Sequence, residues 1–168
     1  TKVSVFGRIQ LHYYKSGTGS GGKVNVSYMH GILEGLRESG QVEFNEDLLA
    51  LYRKWDEAHP FDTGDGWARE PWCQEEMPLS DDIAEAASAQ SDIALVVIGR
   101  TAGEDHDNTA QPGSWYLTDT ELSMLQTVRR HFSRMAVLLN VGNIIDMSWM
   151  ELCRPDAVLY IWQGGMEG

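Results

Sequence analysis

The chain is 168 residues long, 42% hydrophobic, and carries 13 basic against 25 acidic residues, a net charge of -12. Such a length and apolar content support one domain with a sizeable core, and the acidic balance excludes nucleic acid and anionic membrane as partners, since both select a basic surface. No apolar run approaches the roughly 20 residues of a membrane-spanning helix, and Thr1-Lys2-Val3-Ser4-Val5-Phe6-Gly7 reads as folded structure rather than as a signal peptide.

Val3–Phe6 is a short strand. After Arg8–Tyr14 comes the run Ser16-Gly17-Thr18-Gly19-Ser20-Gly21-Gly22. A helix is predicted from about Ser27, with Met29, Ile32, Leu33 and Leu36 on one face and Gly40 as its stop. A second helix starts at the cap Asn45 and aligns Leu48, Leu49, Tyr52 and Trp55. Between His59 and Leu79 there is no period; Pro60, Pro71, Pro78, Gly64, Gly66, Trp67 and Trp72 indicate an extended excursion over the surface. Ser80 caps a third helix with the small apolar face Ile83, Ala84, Ala86 and Ala87.

Ile93-Ala94-Leu95-Val96-Val97-Ile98, closed by Gly99, is apolar without interruption and reads as a strand buried on both faces. A long loop follows. Thr118-Asp119-Thr120-Glu121 then forms a capping box, with Leu117 and Leu122 as its hydrophobic staple. The helix behind it carries Leu122, Leu125, Val128 and Phe132 at helical spacing. Met135–Val141 is another buried strand, ending at Gly142. A short helix around Asp146–Leu152 leads past Pro155 to a last strand, Ala157–Trp162. Strands alternating with helices make βαβ units, so the expected fold is α/β: a three-layer sandwich of a mostly parallel sheet with helices on both faces.

Cys73 and Cys153 are too few for a disulfide framework and match no zinc spacing, which leaves them as free thiols. Both ends look cut, since the chain starts without methionine and stops in glycines that follow a strand. The expectation is one domain, residues 1–168, of a longer protein.

Chemistry is expected on the loop after Ile98, because ligands in open α/β sheets sit beyond the carboxyl ends of the strands and long loops in compact domains are usually functional. It carries Gly103-Glu104-Asp105-His106-Asp107-Asn108. Three readings stand: a general acid/base carboxyl at Glu104, a hard-metal site built from Glu104, Asp105 and Asp107, or a solvated acidic turn. His106 by itself reads as a surface histidine. Gly17–Gly22 matches G-x-G-x-x-G, but it does not directly follow the first strand or open directly into a helix, as a dinucleotide fingerprint requires. It could equally be a loop whose small residues admit a polar ligand to the backbone, with Thr18 or Ser20 offering hydroxyls, or a plain flexible turn. Of six tryptophans, Trp67, Trp72 and Trp115 lie in loops, where aromatic faces suit sugars, while Trp55, Trp149 and Trp162 are expected in the core.

Taken together and in order, five stretches resemble the second, α/β-sandwich domain of glycoside hydrolase family 3, the family of many β-glucosidases. They are Ser16–Gly21, Gly103-Glu104 with Asp107, Gly113–Glu121, Val137–Gly142 and Trp162–Gly168, and they cover nearly the whole chain. The resemblance implies a retaining glycosidase with two carboxyls and no cofactor or metal, acting on a carbohydrate with terminal β-linked glucose or a similar sugar. It places the nucleophilic aspartate on a preceding, N-terminal barrel domain absent from this chain, and the acid/base on the loop that Gly103-Glu104 matches, making Glu104 the candidate. It also places a substrate-holding serine at Ser20. On this reading the piece alone hydrolyses nothing. Relatives commonly follow the glutamate with glycine, an aromatic and Asp-Arg, where this chain has Asp105-His106-Asp107-Asn108. The alternatives are a flavodoxin-like or nucleotide-binding module using Gly17–Gly22, and a non-catalytic sugar-binding domain.

Overall fold

In a computed structural model, residues 1–19, 22 and 25–168 are described. Five strands form one sheet: β1 (Lys2–Phe6), β2 (Glu43–Phe44), β3 (Ile93–Arg100), β4 (Met135–Val141) and β5 (Ala157–Tyr160). All four pairings are parallel and the order is β2-β1-β3-β4-β5. The helices are α1 (Ile32–Glu38), α2 (Glu46–Ala58), α3 (Asp81–Ser88), α4 (Asp119–His131) and α5 (Trp149–Cys153), with a 3-10 turn at Arg8–Gln10.

Alternation of side chains along β3 and β4 sends Ala94, Val96, Ile98, Val137 and Leu139 to one face. There they meet Met124, Leu125 and Val128 of α4, Ala87 of α3, and Trp149 and Cys153 of α5 in the larger core. On the opposite face Val3, Val5 and Val97 pack with Ile9, Tyr14, Leu33 of α1 and Leu49 of α2. Helices therefore cover both faces, as the alternating pattern predicts.

Local signals set the helix starts. Asn45 accepts the Leu48 N–H, Ser80 accepts the Ile83 N–H, and Thr118 and Glu121 close a reciprocal capping box. Four details depart from the sequence reading. The first helix begins at Ile32 and not near Ser27, because the residues before it run along the C-terminal segment, where the His30 N–H donates to the Glu167 carbonyl at 2.8 Å. β2 is a two-residue strand too short to show a period. β3 continues through Gly99 to Arg100. The last strand ends at Tyr160, and Trp162 is 51% exposed with φ +55°, outside the core.

Candidate active site

The chain passes from β1 to β2 on one side, then returns across β1 to reach β3 on the other, so the loops leaving β1 and β3 diverge. That divergence opens a crevice at the carboxyl ends of the two strands, the place where doubly wound sheets hold ligands. The glycine run leaves β1 on one wall and the acidic loop leaves β3 on the other.

Backbone contacts stitch the two walls together. The Thr18 N–H donates to the Ala102 carbonyl at 2.7 Å, and the Glu104 N–H donates to the Thr18 carbonyl at 3.2 Å. Thr18 and Gly103 form a parallel bridge. Glycines make the approach possible: a Cβ at Gly17 would collide with the Ala102 carbonyl, and one at Gly103 with that of Thr18. Gly19, at φ +97°, lies against Glu104, so that a Cβ there would stand 2.7 Å from the Glu104 Cβ. The described part of the glycine run thus serves a backbone seam. The first helix after it is α1, starting at Ile32, so the run does not open into a helix as a pyrophosphate-binding turn does. Ser20 and Gly21 lie outside the described residues.

The acidic loop is anchored from below by a buried ion pair. Arg100, 1% exposed, meets Glu121 through two parallel bonds of 2.6 and 2.7 Å. Its remaining donors reach the Gly99, Ser114 and Tyr116 carbonyls. Burial alone would lower its pKa, but the charge and hydrogen bonds of Glu121 outweigh this and hold it raised. Glu121 also accepts the Thr118 N–H at 2.8 Å, so one carboxylate caps α4 and neutralises the arginine beneath the loop. On its outer flank the loop is tied by Asn108, whose amide donates to the Ile144 carbonyl at 2.6 Å, and by the Trp115 carbonyl, which accepts the Asp146 N–H at 2.8 Å.

Two further anchors hold the β1 wall. Asn140, fully buried in β4, accepts the Tyr14 N–H at 2.7 Å and donates to the Tyr14 and Trp162 carbonyls. Arg8, 2% exposed, pairs with Asp56 at 2.9 Å, and its backbone N–H donates to both oxygens of Glu76. Burial pushes the Glu76 carboxyl up to about 8, against the N–H groups of Arg8 and Met77 that pull it down.

Glu104 and Asp105 are exposed at the loop tip, and Asp105 adopts φ +55°. His106 is not a free surface histidine. Its ring stacks on Trp72 at 4.9 Å between centroids and 29° between planes, and burial lowers its pKa. Among the described residues no group of three or more His, Cys, Asp or Glu side chains is arranged to hold a metal ion, so Glu104, Asp105 and Asp107 form no such group.

Arg8, Asn140 and the Arg100–Glu121 pair were not singled out from the pattern, though each left a trace. A charged or amide side chain at the end of an otherwise apolar strand must find partners when buried. The Trp72–His106 stack left no such trace, because the partners lie on separate loops.

The model of the glycosyl hydrolase family 3 C-terminal domain matches residues 1–168. The chain belongs to this family. It is 57% identical over 166 residues to a β-glucosidase of Ruminococcus albus, covering 99% of this chain and 17% of that protein. It is also similar to a solved β-glucosidase of Paenibacillus barengoltzii, with a TM-score of 0.93, 54% identity, and coverage of 98% of this chain and 18% of the other. Against β-glucosidase 3B of Thermotoga neapolitana in complex with glucose the TM-score is 0.83 at 30% identity, covering 97% and 23%. The chain thus spans between 17% and 23% of the length of these relatives.

Proposed function

We propose that this family 3 domain supplies the general acid/base, Glu104, to a retaining β-glucosidase whose nucleophile stands on a barrel domain of the same polypeptide. The observation that carries the proposal is the place of Glu104: it caps the glycine seam at the strand-order reversal, on a loop held from below by Arg100 and Glu121. A rigid base with an exposed tip is what an active site shared across a domain boundary requires.

In the first step the nucleophile attacks the anomeric carbon while the protonated Glu104 donates to the departing glycosidic oxygen. In the second, the Glu104 carboxylate takes a proton from the water that attacks the glycosyl-enzyme. The two carboxyls must then stand about 5–5.5 Å apart. The chain alone lacks a nucleophile and is expected to be inactive, with the sugar bound between the two domains and Ser20 contributing a hydroxyl.

The test is Glu104→Ala in the full-length enzyme with an aryl β-glucoside, with and without azide. A good leaving group departs with little protonation, so the variant stalls at water attack, and azide restores turnover with a β-glucosyl azide as product. Near-normal turnover without azide would mean that the acidic loop is a solvated turn.

A further inference from the structure

Glu104 sits in a tight turn whose two ends are held by different neighbours. The His106 N–H donates to the Gly103 carbonyl at 3.2 Å, closing a four-residue turn with Glu104 and Asp105 at its tip. The near end belongs to the glycine seam: Gly103 bridges Thr18, and the Thr18 carbonyl accepts the Glu104 N–H. The far end carries the His106 ring, stacked on Trp72. We infer that Trp72 and His106 are positioning residues for the reaction: their stack fixes the far end of the turn, and through it the direction in which the Glu104 carboxyl is presented. The inference rests on the reading of Glu104 as the acid/base.

Three observations carry it. Trp72 is a fixed platform. Its carbonyl accepts the Thr101 N–H at 2.9 Å, which ties it to the end of β3. The loop that contains it is drawn shut at Asp62 and the buried Gln74: the Asp62 N–H donates to the Gln74 side-chain oxygen at 2.8 Å, and the Gln74 amide donates back to the Asp62 carbonyl at 2.9 Å. Within that loop Gly64 lies so close to the Arg69 carbonyl that a Cβ would collide with it. The turn, for its part, needs support. Asp105 adopts φ +55°, where an L-residue pays on the order of 1 kcal/mol and stays only if its surroundings over-determine it. Finally, the contact is one of ring faces. Trp72 Nε1 and His106 Nε2 are shielded from solvent with no hydrogen-bond partner among the described residues, so neither of these nitrogens orients its ring. Burial lowers the His106 pKa, which keeps the ring neutral near neutral pH. Another flat aromatic ring would therefore serve in place of the imidazole, and a methyl group would not.

The measurement is kcat/KM of the full-length enzyme on phenyl and on dinitrophenyl β-glucoside. This parameter reports the step that breaks the glycosidic bond, where phenolate needs a proton from the acid and dinitrophenolate leaves almost unaided. In His106→Ala the value for the phenyl glucoside is expected to fall on the order of tenfold, the upper end of what one aromatic pair contributes. The dinitrophenyl glucoside should stay within about twofold, which also shows that the variant is folded. His106→Phe should recover most of the loss. Unchanged values for both substrates in His106→Ala, an equal fall in both, or a Phe variant that recovers nothing overturns the positioning role. Glu104→Ala, measured beside it, separates the two readings. If it loses the phenyl glucoside selectively while His106→Ala does not, the positioning role alone falls. If Glu104→Ala shows no such selectivity, the acid/base reading falls and the positioning role with it.

Discussion

Arg100→Met removes the ion pair under the acidic loop. The Glu121 carboxylate, 4% exposed, would keep the Thr118 N–H as an uncharged partner and lose its only bidentate one. The carbonyls of Gly99, Ser114 and Tyr116 would lose their guanidinium donors at the same time. Breaking a buried pair from one side costs about 3–5 kcal/mol, against a total stability of roughly 5–15 kcal/mol for a domain. Urea unfolding of the chain, followed to its midpoint with an unchanged slope, reads this loss directly. The companion is Arg100→Met with Glu121→Leu, which replaces the pair by apolar groups of similar volume and leaves no orphaned charge. The two changes should couple by about 0.5–3 kcal/mol, the double variant being more stable than the sum of the singles implies. A single variant that costs less than about 1 kcal/mol, or a strictly additive double, would refute the anchoring role of the pair.

Gly19→Ala forces a side chain into the left-handed region and against the Glu104 Cβ, so Glu104 must move. In the full-length enzyme kcat should fall on the order of tenfold or more, while the loss of stability stays near 1–2 kcal/mol; steady-state kinetics beside urea unfolding separates the two effects. For Glu76 the folded carboxyl is raised to about 8 from an ordinary value near 4.5. The folded state therefore binds more protons than the unfolded one between those values, and stability falls as pH rises from about 5 to 8 and levels off beyond. Urea midpoints across that range should show the decline, and Glu76→Gln, which cannot ionise, should flatten it; an equally steep decline in the variant would assign it to other groups.

The periodicity of the sequence determined much of this protein. The uninterrupted apolar run Ile93–Ile98 and the buried run Met135–Val141, apolar but for Asn140, became the central strands, and caps at Asn45, Ser80 and Thr118 became helix starts. These features are local: a buried strand or an N-cap is specified by residues within a few positions of one another. Glu104 was legible as a candidate because its loop follows such a strand and because the ordered motifs resemble a family. The tertiary structure alone decided the rest. The role of Gly17, Gly19 and Gly103 in a backbone seam, the pairing of Arg100 with Glu121, and the stacking of Trp72 on His106 all join residues from separate segments. Composition shows such a glycine only as flexibility and such a histidine only as surface. Their meaning comes from which backbone or ring lies opposite, and that is set by the strand order β2-β1-β3-β4-β5, which brings the loops after β1 and β3 to one crevice.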